Sequence, residues 1–234
     1  MKVKILNILL ILVIVSCVRQ SGKQDNPAFS NNQIDQSTAS NNEVENVDLI
    51  LKQYDSPTRD YWQNPDLVVD KMGNLDGKVV ADIGVGTGYF TFRLAPDAEK
   101  IIAIDVENRF LEYIEDRKFE LGDNSITRKI ETRLCKADDP MLKHEEVDLV
   151  LLVNTYHFID DRLDYLVKIH KGIKPLGEVI LVDFKLGEMP VGPSESVKIK
   201  KELAIAELKN AGFEIVEIDT SGLQFQYIIK AKKI

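Results

Sequence analysis

The chain of 234 residues has few of the side chains that build metal or disulfide sites: two cysteines and three histidines. Cys17 and Cys135 stand in unlike surroundings, so they predict no disulfide framework. Cys135 ends an alternating apolar stretch, which is typical of a buried, inert thiol. The run His144-Glu145-Glu146 lacks the second histidine four residues on that a zinc helix requires. We therefore expect no metal site.

Net positive charge is also missing. The sequence has 30 Lys and Arg against 38 Asp and Glu, a formal charge of −8. Proteins that bind nucleic acid in general usually present a basic field. The charge therefore predicts no nucleic acid partner. An apolar fraction of 44% is enough for a globular core.

No hydrophobic run is long enough to span a bilayer. The apolar stretch from Ile5 to Val15 follows Lys2 and Lys4, and as a helix it reaches only about 16 Å, roughly half of a bilayer core. Ile14-Val15-Ser16-Cys17 follows it and resembles the lipobox of bacterial lipoproteins. That resemblance implies a signal peptide at 1–16 and membrane anchoring in the bacterial cell envelope through a lipid on Cys17. The location is cytoplasmic if the signal is not used.

The remaining chain divides by composition. Residues 17–46 are rich in Ser, Asn, Gln and Asp and have few large apolar groups, so we expect a disordered tether that cannot offset the entropy of ordering. Residues 47–75 read as an N-terminal helical lid. From 76 to 234, strand patterns alternate with helix patterns, and the last two strands have no helix between them. The pattern predicts an α/β, Rossmann-like domain with a seven-stranded, mostly parallel sheet, helices on both faces and an antiparallel last strand.

A glycine loop follows the first strand of this domain. Gly84-Val85-Gly86-Thr87-Gly88 opens the next helix, and Asp105 ends the second strand 21 residues beyond Gly84. An acid at that place can accept hydrogen bonds from both hydroxyls of a ribose. A tight turn with a solvent-exposed acid is the simpler alternative. Tyr89 stands where the dinucleotide fingerprint has its third glycine, which argues against a nicotinamide oxidoreductase.

The segment Val80 to Gly88 resembles motif I of the class I S-adenosylmethionine-dependent methyltransferases. The likeness covers roughly Asp60 to Phe213, and the ubiquinone and menaquinone C-methyltransferases are the most similar group. It implies S-adenosyl-L-methionine as the cofactor and a small-molecule methyl acceptor. The turn at 173–178 resembles the family's Leu-Lys-Pro-Gly-Gly turn, except that Leu176 replaces a glycine.

The resemblance also assigns residues to the cofactor. The glycines are expected to carry the methionine part, and Asp82 to lie near its ammonium group or to fix the turn. Asp105 matches the ribose acid, and Asp138, with Asp139 as the alternative, follows strand three where an acid contacts the adenine amine. Residues 147–154 resemble motif IV. The expected cofactor ligands are Asp82, Gly84, Gly86, Gly88, Asp105, Asp138 and Asn154.

Acceptor chemistry is expected after the fourth strand, because ligands gather at the carboxyl edge of such sheets. Asn154 and His157 are the catalytic candidates there. His157 is either a general base for an oxygen or nitrogen acceptor or a structural histidine beside Phe158. Trp62 with its neighbour Tyr61 either lines the acceptor pocket or seals the apolar side of the domain. Lys185, after strand five, is either a group that steers an anion or an exposed loop residue.

Two hypotheses of different classes follow. The first is an active methyltransferase, and the second is an exported, lipid-anchored binding protein that keeps the fold without turnover. They differ because the cofactor is made in the cytosol whereas a lipobox directs a protein outward. The sequence predicts neither the acceptor atom nor the oligomeric state.

Overall fold

The structure is a computed structural model that describes residues 59–234. The expected signal peptide, Cys17, the tether and the first part of the lid lie outside the described residues. One sheet has the strand order β3-β2-β1-β4-β5-β7-β6. Its strands are β1 (Val79–Ile83), β2 (Lys100–Asp105), β3 (Ile130–Leu134), β4 (Val147–Val153), β5 (Ile173–Phe184), β6 (Phe213–Asp219) and β7 (Gln226–Lys233).

Helices precede the sheet and connect its strands. They are α1 (Arg59–Gln63), α2 (Pro65–Met72), α3 (Thr91–Leu94), α4 (Asn108–Leu121), α5 (Asn124–Thr127), α6 (Arg162–Gly172) and α7 (Lys201–Asn210), with 3₁₀ turns at Tyr156–Phe158 and Glu195–Val197. Strands β1 to β5 pair in parallel. Strand β7 is antiparallel to both β5 and β6. The predicted fold class is confirmed.

The central strands are apolar on both faces because helices cover both. Val80 belongs to a buried cluster that includes Met72 of α2. Its neighbour Ala81 belongs to the opposite cluster, which includes Leu166 of α6. In β4 only Asp148 is not fully buried, and its carboxylate accepts a hydrogen bond from the Val79 N–H at 2.8 Å. Such continuous burial is what a covered parallel sheet requires.

Some element bounds differ from the sequence pattern. From its residue type, Ser194 is expected to cap a helix that runs to Ala211. The helix begins only at Lys201, and the Ser194 side chain makes no capping hydrogen bond. The reason is tertiary: the Glu195 carboxylate accepts from the Gly187 N–H at 2.9 Å, and the Lys198 ammonium donates to the Gly187 carbonyl at 2.6 Å. These bonds tie residues 195–198 to the loop after β5 instead of to the helix.

The turn with the replaced glycine needs a left-handed residue. Leu176 has φ of +65°, a conformation that a bulky side chain rarely adopts. The residue lies inside β5, near the start of that strand. The leucine at this position therefore carries local backbone strain.

The strand order places the expected site. The chain proceeds outward from β1 to β2 and β3, then returns to β4 on the other side of β1. Ligands of such sheets bind at this switch point, outside the carboxyl ends of the strands. Within residues 59–234, no helix combines the length and apolar character that crossing a membrane requires. In the same range no group of three or more His, Cys, Asp or Glu side chains is placed to hold a metal ion.

Candidate functional site

The glycine loop has the backbone that its residues predict. Gly84, Gly86 and Gly88 have φ of +73°, +52° and +76°, the region that glycine enters without steric cost. A Cβ on Gly84 would lie 2.1 Å from the Thr155 hydroxyl oxygen. The turn is therefore packed directly against the segment that follows β4, and glycine is required there for both reasons.

Asp105 is in contact with this loop. Its Oδ2 accepts a hydrogen bond from the Gly86 N–H at 3.0 Å, and its Oδ1 accepts from the Glu107 N–H at 3.0 Å. The residue is only 6% exposed, and burial raises its pKa above the ordinary value. Each carboxylate oxygen keeps a second lone pair for a ligand hydroxyl. The structure thus brings together the loop and the acid that the sequence paired.

Asp82 lies beneath the same loop at the end of β1. It is 4% exposed, and its Oδ2 accepts a hydrogen bond from the Thr91 hydroxyl at 2.7 Å. Burial raises the pKa of this carboxyl to about 7, although the Thr91 hydroxyl and the Arg59 guanidinium act in the opposite direction. A buried acid with this balance would be stabilised in its ionised form by an added cation.

Asn154 is the first residue after β4. Its φ is +58°, which asparagine tolerates better than most side chains. Its carboxamide donates to the Gln63 side-chain oxygen at 3.0 Å and accepts from the Gln226 side chain. Sequence reasoning missed both glutamines, because no local pattern links residues so far apart in the chain.

His157 is paired with Asp183, which lies near the end of β5 in a segment that the sequence offered only as a possible part of the acceptor pocket. Its Nδ1 lies 2.7 Å from Asp183 Oδ1, and its backbone N–H donates to Asp183 Oδ2 at 3.1 Å. The two side chains are 2% and 1% exposed. No hydrogen bond to His157 Nε2 occurs within residues 59–234. An imidazole that is oriented by a buried carboxylate and keeps one nitrogen unengaged has the geometry of a general base.

Aromatic rings lead from the lid to this histidine. The ring of Trp62 lies 5.9 Å from that of Phe184, which lies 6.1 Å from the His157 ring. The rings of His157 and Phe158 are 4.1 Å apart, and Phe158 is 52% exposed. Tyr61 is 90% exposed, so it does not seal the domain. The surroundings of His157 are therefore aromatic.

Other candidates are less engaged. Asp138 is exposed, and its carbonyl accepts from the Lys168 ammonium at 2.6 Å. The Asp139 carboxylate accepts from the Met141 N–H at 2.7 Å. The contact of either acid with adenine stays a prediction. Lys185 donates to the Leu223 carbonyl at 2.7 Å, so its ammonium group is tied to the connection between β6 and β7.

Cys135 is buried and unpaired, as its pattern predicts. Burial raises the pKa of its thiol to about 12. A thiol with this pKa is almost entirely protonated at neutral pH and is a poor nucleophile. The residue serves packing next to the β2 end and takes no part in the chemistry described below.

Comparison with known proteins finds similarity over the central part of the chain. Residues 81–181 match the family described as "Methyltransferase domain". The tRNA U34 carboxymethyltransferase of Sulfurovum sp. (strain NBC37-1) is 29% identical over 157 residues, which are 62% of this chain and 50% of that protein. The protein of the same name from Aliarcobacter butzleri (strain RM4018) is 26% identical over 157 residues, which again are 62% of this chain and 50% of that protein. The chain thus spans about half the length of these curated relatives.

These relatives correct one expectation. They are named for a tRNA substrate, so the prediction of a small-molecule acceptor and no nucleic acid partner is contradicted. The physical reason is that net charge sums over the whole chain and does not describe the local field at one sheet edge.

Solved structures share the fold. An S-adenosylmethionine-dependent methyltransferase of Aquifex aeolicus superimposes with a TM-score of 0.72 at 22% identity, over 79% of this chain and 97% of that one. The [4+2]-cyclase SpnF gives a TM-score of 0.63 at 17% identity, over 73% and 80%. At these identities the likeness concerns the fold alone. The cyclase illustrates that chemistry must be argued from the site.

Proposed function

We propose that this chain, which carries a class I S-adenosylmethionine-dependent methyltransferase domain, transfers a methyl group from that cofactor to a base in RNA, with tRNA as the first acceptor to test. One observation supports this above all. The glycine loop, whose glycines have positive φ, is hydrogen-bonded to Asp105 at the carboxyl edge of the sheet. The His157–Asp183 pair lies at the same edge.

The residues fit S-adenosylmethionine, which the family and the fold imply as the cofactor. Asp105 has lone pairs for the ribose hydroxyls, and the raised pKa of Asp82 marks a buried acid that an ammonium group would stabilise. The Thr87 hydroxyl in the loop is buried and has no hydrogen-bond partner within residues 59–234, so it is available to a ligand. The cofactor supplies an electrophilic methyl group, and the chain needs mainly to align the acceptor with it.

The chain's contribution to the acceptor step is proton removal. An N–H or O–H acceptor must lose its proton as it takes up the methyl group, and His157 Nε2 can accept that proton. Asp183 holds Nδ1 at 2.7 Å, which fixes the ring orientation and stabilises the imidazolium that forms. The half-buried Trp62 ring and the exposed Phe158 ring offer stacking surfaces for an unstacked base.

RNA as the acceptor is supported by the relatives' names and not by the charge of the chain. A base that reacts must leave its stack, so only that base, and not the whole RNA, has to reach His157. The relatives are named for carboxymethyl transfer, whereas the family model is named for methyl transfer. We propose methyl as the transferred group, and nucleoside mass spectrometry distinguishes the two.

The test uses the purified full chain, S-adenosylmethionine labelled in its methyl group, and bulk tRNA. We expect label in the tRNA, and one modified nucleoside after digestion whose mass increase equals a methyl group. A His157→Ala variant should lose transfer while it still binds the cofactor in calorimetry. Cofactor binding without label in any RNA would contradict the acceptor assignment. The absence of binding would contradict the cofactor assignment as well.

The lipobox-like segment supports a second candidate. The lipobox-like segment ending at Cys17 favours an exported, lipid-anchored protein in the cell envelope, which keeps the fold without turnover. Incorporation of labelled palmitate into the wild type but not into Cys17→Ala would establish the anchor. A lipidated protein that also fails to label tRNA would favour this candidate over the enzyme.

A further inference from the structure

Three carboxamide side chains form a closed ring of hydrogen bonds at the carboxyl edge of the sheet. The Gln63 Nε2 donates to Gln226 Oε1 at 2.7 Å, the Gln226 Nε2 donates to Asn154 Oδ1, and the Asn154 Nδ2 donates to Gln63 Oε1 at 3.0 Å. We call this set the amide ring. The ring also closes if all three amides are reversed, because each then exchanges its donor for its acceptor.

The amide ring is buried at two of its three members and depends on each of them. Gln63 and Gln226 are both 0% exposed, whereas Asn154 is half-buried. Removing Gln226 leaves the buried Gln63 amide donor and the Asn154 amide oxygen without their ring partners. Networks of this kind are also cooperative, so they hold one arrangement more firmly than separate pairs would. The ring therefore specifies how three distant segments meet.

One of these segments is the lid helix α1, where Gln63 is the last residue. A helix of five residues is too short to be stable by itself, so its place depends on tertiary contacts. At its other end the Asp60 carboxylate accepts from the Tyr89 hydroxyl and from Arg93 Nη2, the latter at 3.1 Å. The Arg59 guanidinium lies 3.9 Å from the centre of the Tyr89 ring. The lid helix α1 is thus fixed at both ends. It runs from the side of the glycine loop to the carboxyl end of β4 and the first residue of β7.

The second segment begins at Asn154 and leads to both halves of the site. Its next residue, Thr155, packs against Gly84 of the glycine loop. Three residues after Asn154 stands His157, the proposed base. A rotation of the Asn154 backbone would therefore shift the cofactor loop and the base together.

We propose that Gln63 and Gln226 are positioning residues: they act through Asn154 to keep the lid helix closed and to align the strand-end segment with the bound acceptor. The part that concerns the acceptor rests on the proposed function. The part that concerns the lid helix does not rest on it, and hydrogen exchange can test that part without a methyl-transfer assay.

The first experiment measures hydrogen exchange in the full chain with Gln226→Leu. We expect the amides of residues 59–63 to exchange about tenfold faster or more, because a ring member on β7 has been removed, while the amides of β4 keep their protection. The matched control is Lys71→Met, which cuts the ties of α2 to Glu217 and Asp219 but spares the ring. In the control, residues 59–63 should exchange as in the wild type. Unchanged exchange at 59–63 in folded Gln226→Leu would overturn the proposal.

A conservative variant keeps the proposal testable if Gln226→Leu does not fold. Gln226→Glu buries a carboxyl group, whose raised pKa keeps it neutral, so it has the one donor and one acceptor that the ring uses. We expect wild-type exchange at residues 59–63 near neutral pH, and release of the lid only when alkaline pH ionises the new acid. Lid release in this variant at every pH would also overturn the proposal.

The second experiment separates positioning from structure by kinetics with labelled S-adenosylmethionine and tRNA. Gln226→Leu should lower kcat/KM for the tRNA about tenfold or more, and Gln226→Glu should restore it near neutral pH. If the wild type transfers nothing to RNA, the proposed function fails while the exchange result still decides the lid. If transfer is normal in Gln226→Leu, the positioning role is refuted even where the lid exchanges faster.

Discussion

The buried carboxyl of Asp82 makes the stability of the protein depend on pH in an unusual direction. Its pKa in the folded chain is about 7, against about 3.9 for an unperturbed Asp. Between these values the folded state binds more protons than the unfolded state, so stability falls as pH rises. This loss of unfolding free energy is complete once the pH exceeds the pKa of Asp82 in the folded state. An acid whose folded pKa is depressed would show the opposite trend.

The magnitude follows from the shift. A difference of about three pKa units corresponds to ~4 kcal/mol of folding free energy at high pH, of which ~2–3 kcal/mol is lost between about pH 5 and about pH 8. Asp82→Asn cannot ionise, and its amide oxygen can still accept from the Thr91 hydroxyl. We therefore expect the variant to lose this part of the pH dependence and to gain stability relative to the wild type as pH rises.

Urea unfolding of wild type and variant at both pH values measures the effect. Asp219→Asn is the control, because backbone N–H groups of Ser221 and Gly222 lower the pKa of Asp219 to about 2. Its titration lies outside the range tested, so its cost should be equal at both pH values. An Asp82→Asn variant with the same offset from the wild type at both pH values would refute the reasoning.

Further substitutions test the glycine loop and the two acids of the site. Gly84→Ala adds a Cβ 2.1 Å from a side chain at φ +73° and should lower the unfolding free energy by ~1–3 kcal/mol more than Gly77→Ala. Gly77 has φ +67° but open space, and equal costs by thermal unfolding would contradict the packing argument. Asp105→Ala should weaken S-adenosylmethionine binding about 100-fold or more in calorimetry, since two hydrogen bonds to a charged group together contribute ~3–6 kcal/mol; unchanged affinity would refute the ribose role. Asp183→Asn should lower transfer ~10²–10⁴-fold by releasing His157, without changing cofactor affinity; equal activity would make the pair structural.

The pattern of residues determined the architecture. Continuous apolar strands separated by helices permit little except a covered parallel sheet, and the missing helix before β7 forces its antiparallel direction. The glycine loop and Asp105 were predictable for the same reason. A turn that needs positive φ and an acid at a strand end are local features, and parallel strands bring their carboxyl ends to one edge.

Net charge was the weakest guide. It averages over the whole chain, and it led to the wrong expectation of no nucleic acid partner. The start of α7 was also mispredicted, because the ties of Glu195 and Lys198 to Gly187 compete with the cap that Ser194 offers. The local preference for a helix is overridden where tertiary hydrogen bonds hold the same residues in another conformation.

Tertiary structure alone decided the partners of the site. Asp183 reaches His157 from a neighbouring strand, and the amide ring joins Gln63, Asn154 and Gln226 from three separate segments. A carboxyl or carboxamide group has no periodicity that would reveal its partner across the sheet. Its role is set by which buried donor or acceptor remains to be satisfied, and only the folded chain determines that.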